Sequence, residues 1–160
     1  MPNFRILLVA ATVAALAGCA TTSAPVSVAD TIAAKPQLST LTSLVAKSGL
    51  TDTLKGTGPL TVFAPTNEAF AKVPAKTMDD LAKDPAKLKA VLTYHVLPVK
   101  VMAADVKNGN SKTVNGANVA ISKAGDFVTV EEAMVQTADI SATNGIVHIV
   151  DSVLIPPATR

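Results

Sequence analysis

The eleven residues Leu60-Thr61-Val62-Phe63-Ala64-Pro65-Thr66-Asn67-Glu68-Ala69-Phe70 restrict the fold more than any other stretch, because they hold a strand, a turn and a helix start in direct succession. Leu60 to Ala64 is a short apolar run led in by Gly56-Thr57-Gly58-Pro59, and a run of that length between turn residues predicts a buried strand. Pro65 has no N–H to continue a ladder and should stop it. Thr66 can accept the free N–H groups of the turn that follows, Glu68 suits the positive end of a helix, and Phe70 falls where a first-turn side chain folds back onto the strand. The chain is expected to pass from strand directly into helix.

A counterpart by composition is expected near the other end, where Asn144-Gly145 introduces the run Ile146 to Ile155, closed by Pro156-Pro157. Its β-branched residues predict a long strand. Within it His148 alternates with Ile146, Val150, Ser152 and Leu154, which reads as a histidine on a mostly apolar face with one hydrogen-bond partner. These two stretches, together with Tyr94-His95-Val96-Leu97-Pro98 between them, resemble the three signature segments of the fasciclin-type domain in identity, order and separation, over roughly residues 28 to 157.

The resemblance implies a compact fasciclin-like β-sandwich or wedge flanked by N-terminal helices. It also implies an extracellular interaction module associated with adhesion, without enzymatic activity or cofactor. In some animal members the Tyr-His region has been implicated in receptor binding, which carried onto this chain points to Tyr94, His95 and Val96. The same segment is central to the fold, and a buried tyrosine cannot dock a receptor.

At 160 residues the chain has room for one domain plus a targeting segment, and such a domain can bury about two-thirds of its unfolded surface. Aromatics are 3% and Trp is absent, so the core must be built from Ala, Val, Leu and Ile, and stacking platforms for sugars or bases are scarce. Lys and Arg total 14 against 12 Asp and Glu. Apart from Arg5 and Arg160 the cations are dispersed lysines, a poor match to the clustered arginine forks of phosphate recognition, so nucleic acid is not an expected partner.

Met1 to Arg5 is a short basic start, Ile6 to Leu16 is apolar, and Leu16-Ala17-Gly18-Cys19 ends in small residues. That is the pattern of an export signal. "LAGC" resembles the lipobox of bacterial lipoproteins, which implies cleavage before Cys19 and a lipid on its sulfur; an ordinary secretory signal cleaved after Ala20 is the alternative. Cys19 is the only cysteine, so no internal disulfide is available. The expected division is a signal peptide over 1–18, lipidated Cys19 and linker over 19–28, one fasciclin-type domain over 29–157 and a tail over 158–160. Ala20 lacks the aspartate that resembles the inner-membrane retention signal, so the outer membrane is the expected location and the lipid the membrane contact. A monomer is expected.

Elsewhere the pattern predicts helices first and strands later, an α+β domain. Ser39 is read as capping a helix whose Leu41, Leu44, Val45 and Ser48 share a face, with Gly49 as its left-handed stop. Thr77 and Asp84-Pro85 are read as further helix starts, the second carrying a buried stripe of Leu88, Val91 and Leu92. Short strands are predicted at Tyr94 to Leu97, Thr113 to Val114, Asn118 to Ser122, Phe127 to Glu131 and Met134 to Thr137. Asn108-Gly109, Asn115-Gly116, Gly125-Asp126 and Asn144-Gly145 are the turn candidates.

Chemistry finds little footing. His95 and His148 are the only histidines, short of the three or four converging ligands that a metal needs. No G-x-S-x-G elbow is present. Glu131-Glu132 are adjacent in a strand pattern and point apart, Asp79-Asp80 suits a helix start, and Gly56-Thr57-Gly58 leads into a strand rather than a phosphate-cradling helix. Asn67 and Asp151, polar residues inside apolar runs, are expected to satisfy buried backbone groups. A lipid- or small-molecule-binding domain is the competing function: a deep apolar cavity would favour it, and a solid core with an exposed apolar patch would favour adhesion.

Overall fold

A computed structural model describes residues 26–156. The helical part comprises α1 (Val28–Ala33), a 3-10 turn at Pro36–Leu38, α2 (Ser39–Ser48) and α3 (Thr51–Lys55). Then come β1 (Leu60–Pro65), α4 (Asn67–Lys72), α5 (Ala75–Lys83) and α6 (Pro85–Tyr94). The remaining elements are strands: β2 (Val96–Leu97), β3 (Gly109–Lys112), β4 (Asn118–Ala124), β5 (Phe127–Val130), β6 (Ala133–Ala142) and β7 (Gly145–Val150).

The strand-to-helix passage at residues 60–70 is as expected. Thr66 is extended and its hydroxyl accepts the Ala69 N–H at 3.2 Å, so α4 starts within one residue of β1. Asp84 caps α6 by accepting from the N–H groups of Ala86 and Lys87, with Pro85 at the first helical position. Gly49, at φ 70°, ends α2 in the left-handed region.

The strands form one mixed seven-stranded sheet in the order β2-β1-β7-β6-β5-β4-β3, with β7 parallel to β1 and antiparallel to β6. Alternation along β1 and β7 explains why both read as continuous apolar runs. Val62, Ala64, Val147 and Ile149 face the helices and pack with Leu41, Leu44, Leu54, Leu88 and Leu92. Phe63 and Val150 face the opposite way and pack with Tyr94, Leu97, Val119, Val128, Val130 and Leu154. Both faces of the central strands are therefore covered. Irregular register between Val135 and Ile140 bends β6, with Asp139 at φ 56°, giving the wedge shape.

Several sequence expectations shift. Ser39 is the first residue of α2 and not its cap, because the 3-10 turn runs straight into the helix. α5 starts at Ala75, behind Pro74, so Thr77 lies inside it. The segment predicted as a strand from Tyr94 begins as the last turn of α6, and only Val96–Leu97 pair with β1. β3 lies at Gly109–Lys112, ahead of the predicted Thr113–Val114, and β6 runs to Ala142, well past Thr137. β7 stops at Val150; Ser152 and Leu154 lie beyond it, and Leu154 joins the core cluster of Phe63, Tyr94 and Leu97. Glu131-Glu132 occupy the β5–β6 turn, with Glu131 at φ 55°.

Candidate functional site

The Tyr94-His95-Val96 segment lies where α6 ends, and all three residues are buried, Tyr94 with 2% of its surface exposed. The Tyr94 hydroxyl lies 3.0 Å from the Asn118 carbonyl oxygen and 3.1 Å from Glu131 Oε1, two acceptors for its one proton. Glu131 Oε1 also accepts the Ala120 N–H at 2.9 Å. Burial, and then the Glu131 charge, push the phenol up to about 12. Tyr94 thus joins α6 to β4 and to the turn into β6.

His95 is a junction of a different kind. Its Nδ1 is 2.8 Å from the Val91 carbonyl, its Nε2 is 3.0 Å from the Leu154 N–H, and its own carbonyl accepts from Phe63 N–H at 2.9 Å. A carbonyl on one side and an N–H on the other require a neutral ring protonated on Nδ1. Burial lowers its pKa to about 4, opposed in part by the Val91 carbonyl. Val96 pairs with Val62, and its carbonyl accepts the Val114 N–H at 2.8 Å.

His148 has the opposite tautomer. Nε2 lies 2.8 Å from the Val101 carbonyl, Nδ1 accepts the Asp139 N–H at 3.2 Å, and the ring stacks on Phe63 at 5.6 Å. Burial lowers its pKa, against the Val101 carbonyl and the charge of Asp139. Neither imidazole keeps a lone pair for a metal or a migrating proton. Among the described residues no cluster of three or more His, Cys, Asp or Glu side chains is placed to hold a metal ion.

Asn67 and Asp151 both satisfy backbone groups. Asn67 accepts from the Thr40 N–H and donates to the Pro36 carbonyl and to Ser39 Oγ, holding α4 against α2. Asp151 Oδ1 accepts the Met134 N–H at 2.9 Å. Two residues with similar duties went unread in the sequence. Asn144 accepts from the Val28 N–H and donates to the carbonyls of Leu54 and Gly56, and buried Thr61 bridges the Val99 carbonyl and the Val101 N–H. Asn144 was hidden by its Gly145 neighbour, which made the pair look like an ordinary turn. Cys19 lies outside the described residues.

Two apolar features of the described surface bear on ligand or partner binding. A groove of about 210 Å³ runs between α1, α2 and α3, lined mainly by Ala29, Ile32, Ala33, Val45, Ala46 and Leu54, and is smaller than usual ligand pockets. On the outer side of β5 and β6, Phe127 is 64% and Met134 45% exposed, with Thr129 directly opposite Met134. No helix among the described residues is long and apolar enough to cross a membrane.

Comparison with known proteins follows the same lines. The fasciclin domain model matches residues 36–156. The chain is similar to protein sll1483 of Synechocystis sp., 38% identical over 86% of this chain and 78% of that one. It is also similar to the cell surface glycolipoprotein MPB83 of Mycobacterium bovis, 39% identical over 82% of this chain and 61% of that one. A solved FAS1 domain pair from the insect cell adhesion molecule fasciclin I superposes with a TM-score of 0.63 over 77% of this chain and 46% of that one, at 24% identity, a likeness of fold. The signature segments, the wedge of helices and mixed sheet, and these matches agree: the chain belongs to the fasciclin domain family.

Proposed function

We propose that this protein is a non-enzymatic interaction module of the cell envelope, held by lipid on Cys19 and binding a protein or matrix partner through the outer face of β5 and β6. The observation that carries this reading is the pairing of apolar clusters buried on both faces of the sheet with exposed Phe127 and Met134 on the outer side of β5 and β6. The groove between α1, α2 and α3 gives less support to a small-molecule carrier, because it is small and lies at the surface. The relative described as a cell surface glycolipoprotein lends weight to the anchor, and Ala20 in place of aspartate favours the outer membrane.

In this reading Tyr94, His95 and Val96 are positioning residues. Tyr94 fixes Glu131, and so the turn that sets β5 against β6, while His95 and Val96 hold the layer beneath. The test is retention on envelope-protein or matrix preparations by the Cys19→Ser form, which cannot carry the lipid, and by the same form with Phe127→Asp or Met134→Asp. Loss of retention with unchanged melting supports the β5–β6 face; retention equal to the Cys19→Ser form in both variants overturns it.

A further inference from the structure

The described chain begins at one particular end of the sheet. The Val26 carbonyl accepts from both the N–H and the hydroxyl of Thr143, at 3.0 and 3.2 Å, beside the Leu60–Gly145 end of the β1–β7 pair. The same end holds a shallow cleft whose lining includes Pro59, Thr143 and Gly145, with Lys100 as its one formally charged residue. Val99, next to Lys100, is 46% exposed, and Val26 is 43% exposed. Asp30 on α1 and Lys55 on α3 pair with each other at 3.4 Å.

We propose that this end, presenting Val26, Val99 and Lys100, is the face that lies on an anionic lipid bilayer. The inference rests on the reading that Cys19 carries lipid. About seven residues separate Cys19 from Val26, and that length spans at most ~25 Å when fully extended. A compact domain of this size is roughly 36 Å across. The tether is too short to pass round the domain and bring the opposite end, where Pro65 pairs with Val150, to the membrane. The end within reach carries exposed valines for the interfacial layer and a lysine for lipid phosphates.

The experiment uses the full-length acylated protein on vesicles of phosphatidylglycerol and phosphatidylcholine. Lipid occupies the Cys19 sulfur, so a thiol-reactive, polarity-sensitive fluorophore labels only an introduced cysteine. Val99→Cys reports on the proposed face, Glu68→Cys on the start of α4 at the opposite end, and Lys100→Cys stands in if Val99→Cys fails to fold. The expected result is blue-shifted emission and at least twofold stronger quenching by bilayer-embedded quencher at 99 than at 68, reduced by Lys100→Glu and on pure phosphatidylcholine. Equal quenching at the two positions overturns the orientation while flotation with vesicles upholds the anchor. Quenching at 99 indifferent to Lys100→Glu and to lipid charge overturns the assignment to an anionic surface. Failure to float removes the anchor and this orientation together.

Discussion

The backbone N–H of Leu154 donates to Nε2 of His95, 59 residues earlier, at 3.0 Å, so one neutral imidazole ties the segment after β7 to the C-terminal end of α6. Protonating that nitrogen turns the acceptor into a donor facing a donor. The ring titrates at about 4 when folded, against 6.5 for an unhindered histidine, so the unfolded chain binds more protons across that interval. Stability should be full above pH 6.5 and fall as the pH approaches 4, by about 3 kcal/mol from His95 alone. His148, also lowered, acts in the same direction. Urea unfolding across this range should show the decline, and His95→Phe should flatten it while lowering stability at neutral pH. A wild-type stability independent of pH over the interval would refute the assignment.

Phe63 sits in the centre of β1 with its ring on His148 and only 2% exposed. Phe63→Ala should cost about 3–5 kcal/mol. Thermal or denaturant melting checks this, and an unchanged midpoint would show that Phe63 is not core.

Asn144 closes three backbone groups that have no other described partner: the Val28 N–H and the carbonyls of Leu54 and Gly56. Asn144→Ala should cost about 2–4 kcal/mol, since part-buried groups lose both bonds and water. Hydrogen exchange should localise the loss to α1 and the α3–β1 connection. Uniform exchange with no change in those segments would contradict the tether.

Tyr94 is the one tyrosine in the sequence, so its ionisation can be followed by ultraviolet absorbance without interference. The phenol should resist titration until about pH 12 unless the domain unfolds first. Tyr94→Phe should remove about 1–2 kcal/mol and loosen the β5–β6 turn through Glu131. A phenol titrating near 10 in the folded protein would place its hydroxyl in water.

Because both imidazoles are saturated by backbone groups, chelator should leave the melting curve unchanged and elemental analysis should find no stoichiometric transition metal. One tightly held metal per chain, lost in His148→Gln, would reverse this.

The sequence was most legible where local chemistry and tertiary packing agree. Thr66, Asp84-Pro85 and Gly49 mark helix boundaries by hydrogen bonds made within a few residues, and all three do so in the fold. Strand limits were harder to read because they depend on partners distant in sequence. Val114 has strand composition, yet its N–H goes to Val96, and the neighbouring ladder falls on the polar stretch Gly109–Lys112. β7 was overextended because the apolar residues after Val150 serve a different layer of the core. The central place of Tyr94, His95 and Val96 in the fold was legible, but their partners were not, since the acceptors of Tyr94 and the donor to His95 lie 24 to 59 residues away. Asn144 could have been found by asking which residue answers the backbone groups freed at the ends of α1 and α3.

The place of β7 in the sheet also bears on how the chain acquires its shape. Among the described residues it is the last strand in the sequence and the one inserted between β1 and β6, so the sheet stays split in two until Gly145–Val150 is available. Pairing Leu60–Pro65 with this distant segment costs loop-closure entropy before any native contact rewards it, which delays the folding transition. A chain built this way completes its sheet only once β7 is available to pair with both neighbours. A version truncated before Gly145 should therefore remain unfolded by circular dichroism and regain structure when a peptide spanning residues 145–156 is added in trans.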